Sequence, residues 1–239
     1  MLQSRHRHVT VAAVASIGWF VELLLPSRCV SCGGPADGLC LECRSTLRPI
    51  APPTCARCGA PTAWPVARCR ECSGRRLAYG TAVAAYAYTG PARPFVRAWK
   101  ERGLRRLAPL AAELVAGRVA RPAADVITYV PPDPVRQLGR SCHPAESLAR
   151  ELGRRWELDV AGLLVRTRSA ERQASLPRAR RRANVQGSFR PVTGAAVPAR
   201  VVLVDDVYTT GATASAVASS LRVAGVRRVD VVTFARAVR

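Results

Sequence analysis

The sequence contains a single lysine, Lys100, among 37 basic residues, and only 16 acids offset them, leaving a formal net charge of +21. A basic surplus of this size attracts nucleic acid, anionic lipid or phosphorylated ligands. The lack of lysine qualifies that reading. Arginine in place of lysine, beside abundant Ala, Pro and Val, is also what a GC-rich genome imposes, so codon bias and anion binding both account for the charge. Aromatics are scarce, at 5%. Few stand in the arginine-rich stretch 166–182, which argues against base stacking there. No small-x-small cleavage site follows the apolar run 9–25, although the basic start and apolar run otherwise resemble a signal peptide. That run has 17 residues and includes Glu22, the short limit for a bilayer span. We expect a helix packed on the protein and ending at Pro26, and no stable membrane span.

Cysteine is plentiful. Eight of the nine cysteines form four Cys-x-x-Cys pairs, Cys29/Cys32, Cys40/Cys43, Cys55/Cys58 and Cys69/Cys72, and Cys142 stands apart. Each pair can set two thiolates on one tetrahedral ion, so the spacing reads as zinc. Disulfides would require an oxidising compartment. Gly33 and Gly59 follow the second cysteine of their pairs, where a tight knuckle favours glycine. Two four-cysteine zinc sites use all eight ligands, and neighbouring or interleaved knuckles satisfy the spacing equally. No histidine or carboxylate stands where it would give an open coordination position, so the zinc is expected to be structural. So small a module has little core, and metal binding would supply much of its folding energy. The expected organisation is an apolar helix over 1–25, a double zinc ribbon over 26–75 and a larger domain over 79–239.

The larger domain is organised around residues 201–213, Val-Val-Leu-Val-Asp-Asp-Val-Tyr-Thr-Thr-Gly-Ala-Thr. Four apolar residues predict a strand buried on both faces. Asp205 and Asp206 follow where such a strand would emerge. A hydroxyl-rich turn and a helix over 212–221 come next. Backbone N–H groups at a helix N-terminus attract an anion, and the helix dipole adds to the attraction. Gly211 permits close backbone approach, and Thr209, Thr210 and Thr213 offer hydroxyl donors.

Strands are further predicted over 81–88, 125–130, 160–165 and 229–234, and helices over 91–101, 104–119 and 143–156. This order predicts an α/β fold with a mainly parallel sheet and helices on both faces. Ligands of such sheets sit beyond the carboxyl ends of the strands, where 205–213 fall. The loop Pro131-Pro132-Asp133-Pro134 is stiff and turned. Residues 166–182 carry seven arginines and one glutamate, either a solvated loop or a cover for polyphosphate or a nucleic-acid backbone. If mutational pressure has replaced Lys by Arg elsewhere, Lys100, the one lysine of the chain, is either a chance survivor or held by chemistry that needs a compact ammonium.

Residues 201–213 resemble the phosphoribosyl-pyrophosphate (PRPP) motif of type I phosphoribosyltransferases. That resemblance implies that Asp205 and Asp206 bind the ribose 2′- and 3′-hydroxyls. It also implies that Thr209, Thr210, Gly211, Ala212 and Thr213 cradle the 5′-phosphate, with Mg²⁺ accompanying PRPP. The whole chain resembles the ComF family, proteins linked to DNA uptake. The Cys-x-x-Cys ribbons precede a phosphoribosyltransferase-like domain. The segments Phe95-Val96-Arg97-Ala98-Trp99-Lys100 and Tyr129-Val130-Pro131 match, as does a loop with Arg168, Gln173, Asn184, Val185, Gly187 and Phe189. By the resemblance, Lys100 and Arg168 are candidates for pyrophosphate, and Lys100, Asp205 and Asp206 for catalysis.

Two functions follow from it. One is a PRPP-binding protein of DNA uptake, located in the cytoplasm near the inner face of the membrane. Its arginine-rich face would hold single-stranded DNA, and its ribbon would dock a DNA-translocating helicase. The other is an active phosphoribosyltransferase passing ribose 5-phosphate to an acceptor. Many members carry Arg-Gly-Phe-Asn-Gln where this chain has Arg140-Ser141-Cys142-His143-Pro144, so an acceptor contact there is not carried over. Salvage enzymes for 6-oxopurines place an aspartate base at the position of Thr209, whose hydroxyl is no base near neutral pH. That argues against a 6-oxopurine acceptor.

Overall fold

The computed structural model describes residues 27–133, 142–167, 188–194 and 196–238. The expected helix over 1–25 lies outside them, as does Arg168. Strand β5 (Arg200–Tyr208) is the centre of the larger domain. It pairs in parallel with β6 (Arg228–Arg236) on one side and β2 (Val126–Tyr129) on the other, and β1 (Ala82–Ala87) pairs in parallel with β6. The order is β1-β6-β5-β2. The period-2 alternation of β5 explains its unbroken apolar run, because both faces are covered. Val202 and Val204 join one core cluster and Val201 and Leu203 the other.

Three helices, α2 (Ala92–Glu101), α3 (Leu107–Ala116) and α4 (Pro144–Trp156), cover the first face. On α2, Phe95 and Trp99 are one turn apart and fully buried, and Phe95 stacks on Phe234 with centroids 4.9 Å apart. Full burial of such rings contributes roughly 2–3 kcal/mol each. Gly103, at a φ of 61°, follows the end of α2. Helix α5 (Ala212–Val223) covers the second face through Ala214, Val217, Ala218 and Leu221.

Two boundaries differ from expectation. Strand β5 runs on through Asp205 and Asp206 to Tyr208, because β6 continues beside it to Arg236. Partner β2 stops opposite Val204, so the two acids gain an open flank on that side without leaving the strand. The strand expected over 160–165 is split. Val160 makes a single bridge to Ile127, and β3 (Leu164–Arg166) pairs antiparallel with β4 (Phe189–Pro191) in a separate ribbon. Gly162 lies between the two segments, packed so closely that a Cβ there would come within 3.0 Å of the Tyr129 hydroxyl.

The cysteine-rich segment clasps the β1 edge of the sheet. Ala87 N–H donates to the Arg48 carbonyl and Ile50 N–H to the Ala85 carbonyl, while Ala82 N–H donates to Arg57 further along. Cys29, Leu39, Cys43 and Leu47 enter the first core cluster, and Cys55, Cys58 and Cys72 enter the second. The two ribbons therefore lie against opposite faces of one sheet. The short helix α1 (Leu41–Ser45) belongs to the first ribbon. Among the described residues no helix is long and apolar enough to cross a membrane.

Candidate functional site

The cysteines gather as Cys29, Cys32, Cys40 and Cys43, and as Cys55, Cys58, Cys69 and Cys72, each set with its sulfurs within 4.8 Å of one another. Neighbouring knuckles thus pair, an alternative the spacing left open. Sulfur–sulfur separations are 3.7 Å for Cys32–Cys40, 3.6 Å for Cys55–Cys72 and 3.5 Å for Cys58–Cys69. A tetrahedron with Zn–S bonds of ~2.3 Å has edges of about 3.8 Å, so the donor sets fit structural zinc. Gly33 N–H donates to the Cys29 carbonyl and Gly59 N–H to that of Cys55, both glycines at positive φ. Burial opposes the Cys55 thiolate, yet backbone N–H groups of Cys58, Arg57 and Cys69 bring its pKa down to about 6. Cys43 in the other set is pushed up to about 12, chiefly by burial. Four thiolates this close repel, and a divalent cation is what lets them ionise together.

The second site lies at the carboxyl end of the sheet, in a cavity of about 770 Å³. Strand β5 contributes Asp205 and Asp206, the end of α2 contributes Lys100, and the loop after β2 contributes Val130, Pro131, Pro132 and Asp133. Lys100 Nζ lies 2.7 Å from Asp206 Oδ2, and Asp206 is only 5% exposed. Desolvation raises the Asp205 carboxyl from 3.8 to about 6, with Lys100 and Arg166 pulling the other way. Asp205 also accepts the Asp206 N–H at 2.9 Å. Lys100, Arg105, Arg150, Arg154 and Arg166 share the cavity wall with Asp133, Glu146, Glu151, Asp205 and Asp206. Among the described residues the lining is balanced in charge rather than uniformly basic.

The turn after β5 enters α5 through Gly211, at a φ of 70°. A Cβ on Gly211 would stand 2.3 Å from the Tyr208 hydroxyl, so the loop rests on that ring. Thr209 and Thr213 line the cavity, whereas Thr210 uses its hydroxyl to accept the Ala212 N–H at 3.3 Å. The first N–H groups of a helix lack intrahelical partners, and here they belong to the segment beginning at Ala212. On the opposite wall, His143 caps α4 by accepting the Glu146 N–H at its Nδ1, 3.2 Å away.

The structure thus brings Lys100, Asp205, Asp206, Thr209 and Thr213 together around one cavity. Several lining residues were not singled out from the sequence. Arg166 opens the arginine-rich run, and its guanidinium lies 3.6 Å from Asp133 and over the Phe189 ring. Glu146, Arg150 and Arg154 recur along one face of α4, a pattern shared by any solvated helix. Tyr208, which supports the loop at Gly211 without lining the cavity, occupies a variable position of the motif and so carried no signal.

Residues 20–73 match the model of the double zinc ribbon domain family. The chain is 29% identical to Competence protein F of Haemophilus influenzae over 226 residues, 88% of this chain and 97% of that protein. It is 27% identical to Competence protein ComFC of Streptococcus pneumoniae, covering 90% of this chain and 91% of that one. The chain is thus similar to the ComF competence proteins over nearly its whole length. A further relative, DNA utilization protein YhgH of Salmonella typhi, is 29% identical over 87% of this chain and 96% of its own. The likeness therefore spans ribbons and sheet domain together.

Proposed function

We propose that this chain binds PRPP or a closely similar phosphorylated ribose and acts in DNA uptake. The observation that carries the ligand is the placement of Asp205 and Asp206 on the open flank of β5, next to a helix-entry loop that only glycine can make at position 211. Two adjacent carboxylates suit a diol, and the loop with the α5 N-terminus suits a monophosphate. Lys100, Asp133 and Arg166 border the place where a pyrophosphate would extend. Because the described lining is balanced in charge, Mg²⁺ held by phosphate oxygens with Asp205 and Asp206 would offset the charge of a polyphosphate. The relatives' names, competence protein and DNA utilization protein, support a role in DNA uptake, and our reading adds single-stranded DNA and a DNA-translocating helicase as partners and the cytoplasm, near the membrane's inner face, as the place of action. We read the parts as 1–25, 26–75 and 79–239.

Isothermal calorimetry with PRPP and Mg²⁺ tests the ligand. Asp206→Asn is expected to lose binding while remaining folded, and equal affinity in that variant would refute the assignment. Single-strand binding should weaken steeply between low and high salt.

The size of the cavity favours a second reading, active transfer. Beyond the acids it continues along α4 past His143, Glu146 and Arg150, room for an acceptor. In transfer, the acceptor forms a bond to ribose C1, the C1–O bond to pyrophosphate breaks, and cationic groups stabilise the departing charge. Pyrophosphate release from PRPP across a panel of acceptors tests this reading. Thr209 keeps 6-oxopurines out of the expected positives.

A further inference from the structure

The second ribbon is tied to the phosphate loop by arginines at both ends of the contact. Arg75, three residues after the ligand Cys72, donates from Nη2 to the Thr210 carbonyl at 2.6 Å. Arg236, at the end of β6, is 1% exposed. Its guanidinium donates to the carbonyl of the ligand Cys58 and lies 3.0 Å from the Glu71 carboxylate, between the ligands Cys69 and Cys72. The same guanidinium sits over the Tyr208 ring, 4.9 Å from its centroid. Tyr208 is the floor beneath Gly211, and its hydroxyl meets that of Tyr79 at 2.6 Å.

From this arrangement we infer that the second four-cysteine site positions the phosphate loop, acting through Glu71, Arg236 and Arg75, so that metal in that ribbon and ligand at Gly211 are thermodynamically coupled. The inference rests on the proposed ligand reading for its functional meaning. Zinc sets the backbone at Cys58 and at 69–72. Those groups locate a buried cation, the cation locates the Tyr208 ring, and the ring with Arg75 holds the loop at its hydroxyl-rich turn. A buried guanidinium keeps its place only while its carboxylate and carbonyl partners keep theirs. The first ribbon makes different contacts. Its Arg44 and Asp37 pair with Glu113 and Arg106, which lie on and just before α3. Loss of the first site is therefore not transmitted to Gly211 by this route. Arg75, Glu71 and Arg236 are positioning residues, since none lines the main cavity.

The test uses the full-length, zinc-loaded chain with Arg75→Ala, Glu71→Gln and the control Arg44→Ala. Arg75 is half-buried, so its truncation leaves the core intact. Hydrogen exchange is followed at 208–213 and at the core strand positions 201–204. The expected result in Arg75→Ala and Glu71→Gln is about tenfold faster exchange in the loop, the effect of one lost hydrogen bond. Exchange at 201–204 and a content of two zinc per chain should not change. Arg44→Ala should leave the loop unaltered.

Affinity for PRPP with Mg²⁺ separates positioning from charge. Glu71→Gln removes a negative charge, which by field alone would tighten binding of an anion, whereas loss of positioning weakens it several-fold. Weaker binding in Glu71→Gln supports the inference. Unchanged loop exchange in both variants, or tighter binding in Glu71→Gln, overturns it. Absence of PRPP binding by the unaltered protein would refute the ligand reading, and the exchange data then decide by themselves whether the ribbon positions the loop.

Discussion

Asp205→Asn should make the unliganded protein more stable near neutral pH, by an amount that depends on pH. The carboxyl of Asp205 is raised from 3.8 to about 6 by desolvation that Lys100 and Arg166 only partly offset. A carboxyl whose pKa is higher in the folded state binds its proton more tightly there. Its contribution to stability is fully present below about pH 4 and is lost as pH rises through about 6. At pH 7.5 the ionised group therefore costs roughly 3 kcal/mol, and at pH 5 about half of that. Asparagine is isosteric and retains an oxygen to accept the Asp206 N–H, so the substitution removes the charge with little change in packing. Urea unfolding of zinc-saturated protein at both pH values measures the difference, with zinc content checked at pH 5 because thiolate sites release metal in acid. The variant should gain up to ~3 kcal/mol at pH 7.5, the gain should shrink by about half at pH 5, and PRPP binding should fall. A variant no more stable than the parent at pH 7.5, or a gain that does not shrink on acidification, would refute the reasoning.

Two further outcomes follow from the geometry. Gly211→Ala places a Cβ 2.3 Å from the Tyr208 hydroxyl at a φ of 70°. The strain should destabilise the chain by roughly 1–3 kcal/mol in denaturant unfolding and reduce binding of a phosphorylated ribose. Metal analysis should return two zinc ions per chain, one for each four-cysteine set. A strong chelator should remove them with loss of the cooperative transition, since each set anchors one of the two core clusters. Retention of full stability after both ions are removed would show that the sulfur clusters do not carry the fold.

Features with a local signature were legible in the chain itself. Each knuckle is marked by Cys-x-x-Cys, and two of the four also by a following glycine, Gly33 or Gly59, at positive φ. The strand–acid–turn–helix of 201–213 is marked by an apolar run, two acids and one glycine. The helix carrying Phe95 and Trp99 shows its buried side at a spacing of one turn. Boundaries failed where a neighbouring strand decided them. Nothing local says that β5 continues to Tyr208, because that depends on how far β6 runs alongside. Nothing local splits 160–165, where one residue bridges the sheet and the rest pair with β4.

The amino-acid order by itself determined the chemistry available: two sets of metal-binding thiols, a pair of acids, a glycine-permitted turn into a helix N-terminus and a lone lysine. Tertiary structure decided which of these meet. Knuckle pairing, the 2.7 Å approach of Lys100 to Asp206, and the placement of the ribbons on opposite faces of one sheet are all properties of the folded arrangement. Arg75 reaches Thr210 across 135 positions of sequence, and Arg236 reaches Cys58 across 178. A chain records short-range conformational preference in its residue pattern. Contacts between residues that far apart are set by burying both faces of a single sheet, a property no local segment possesses.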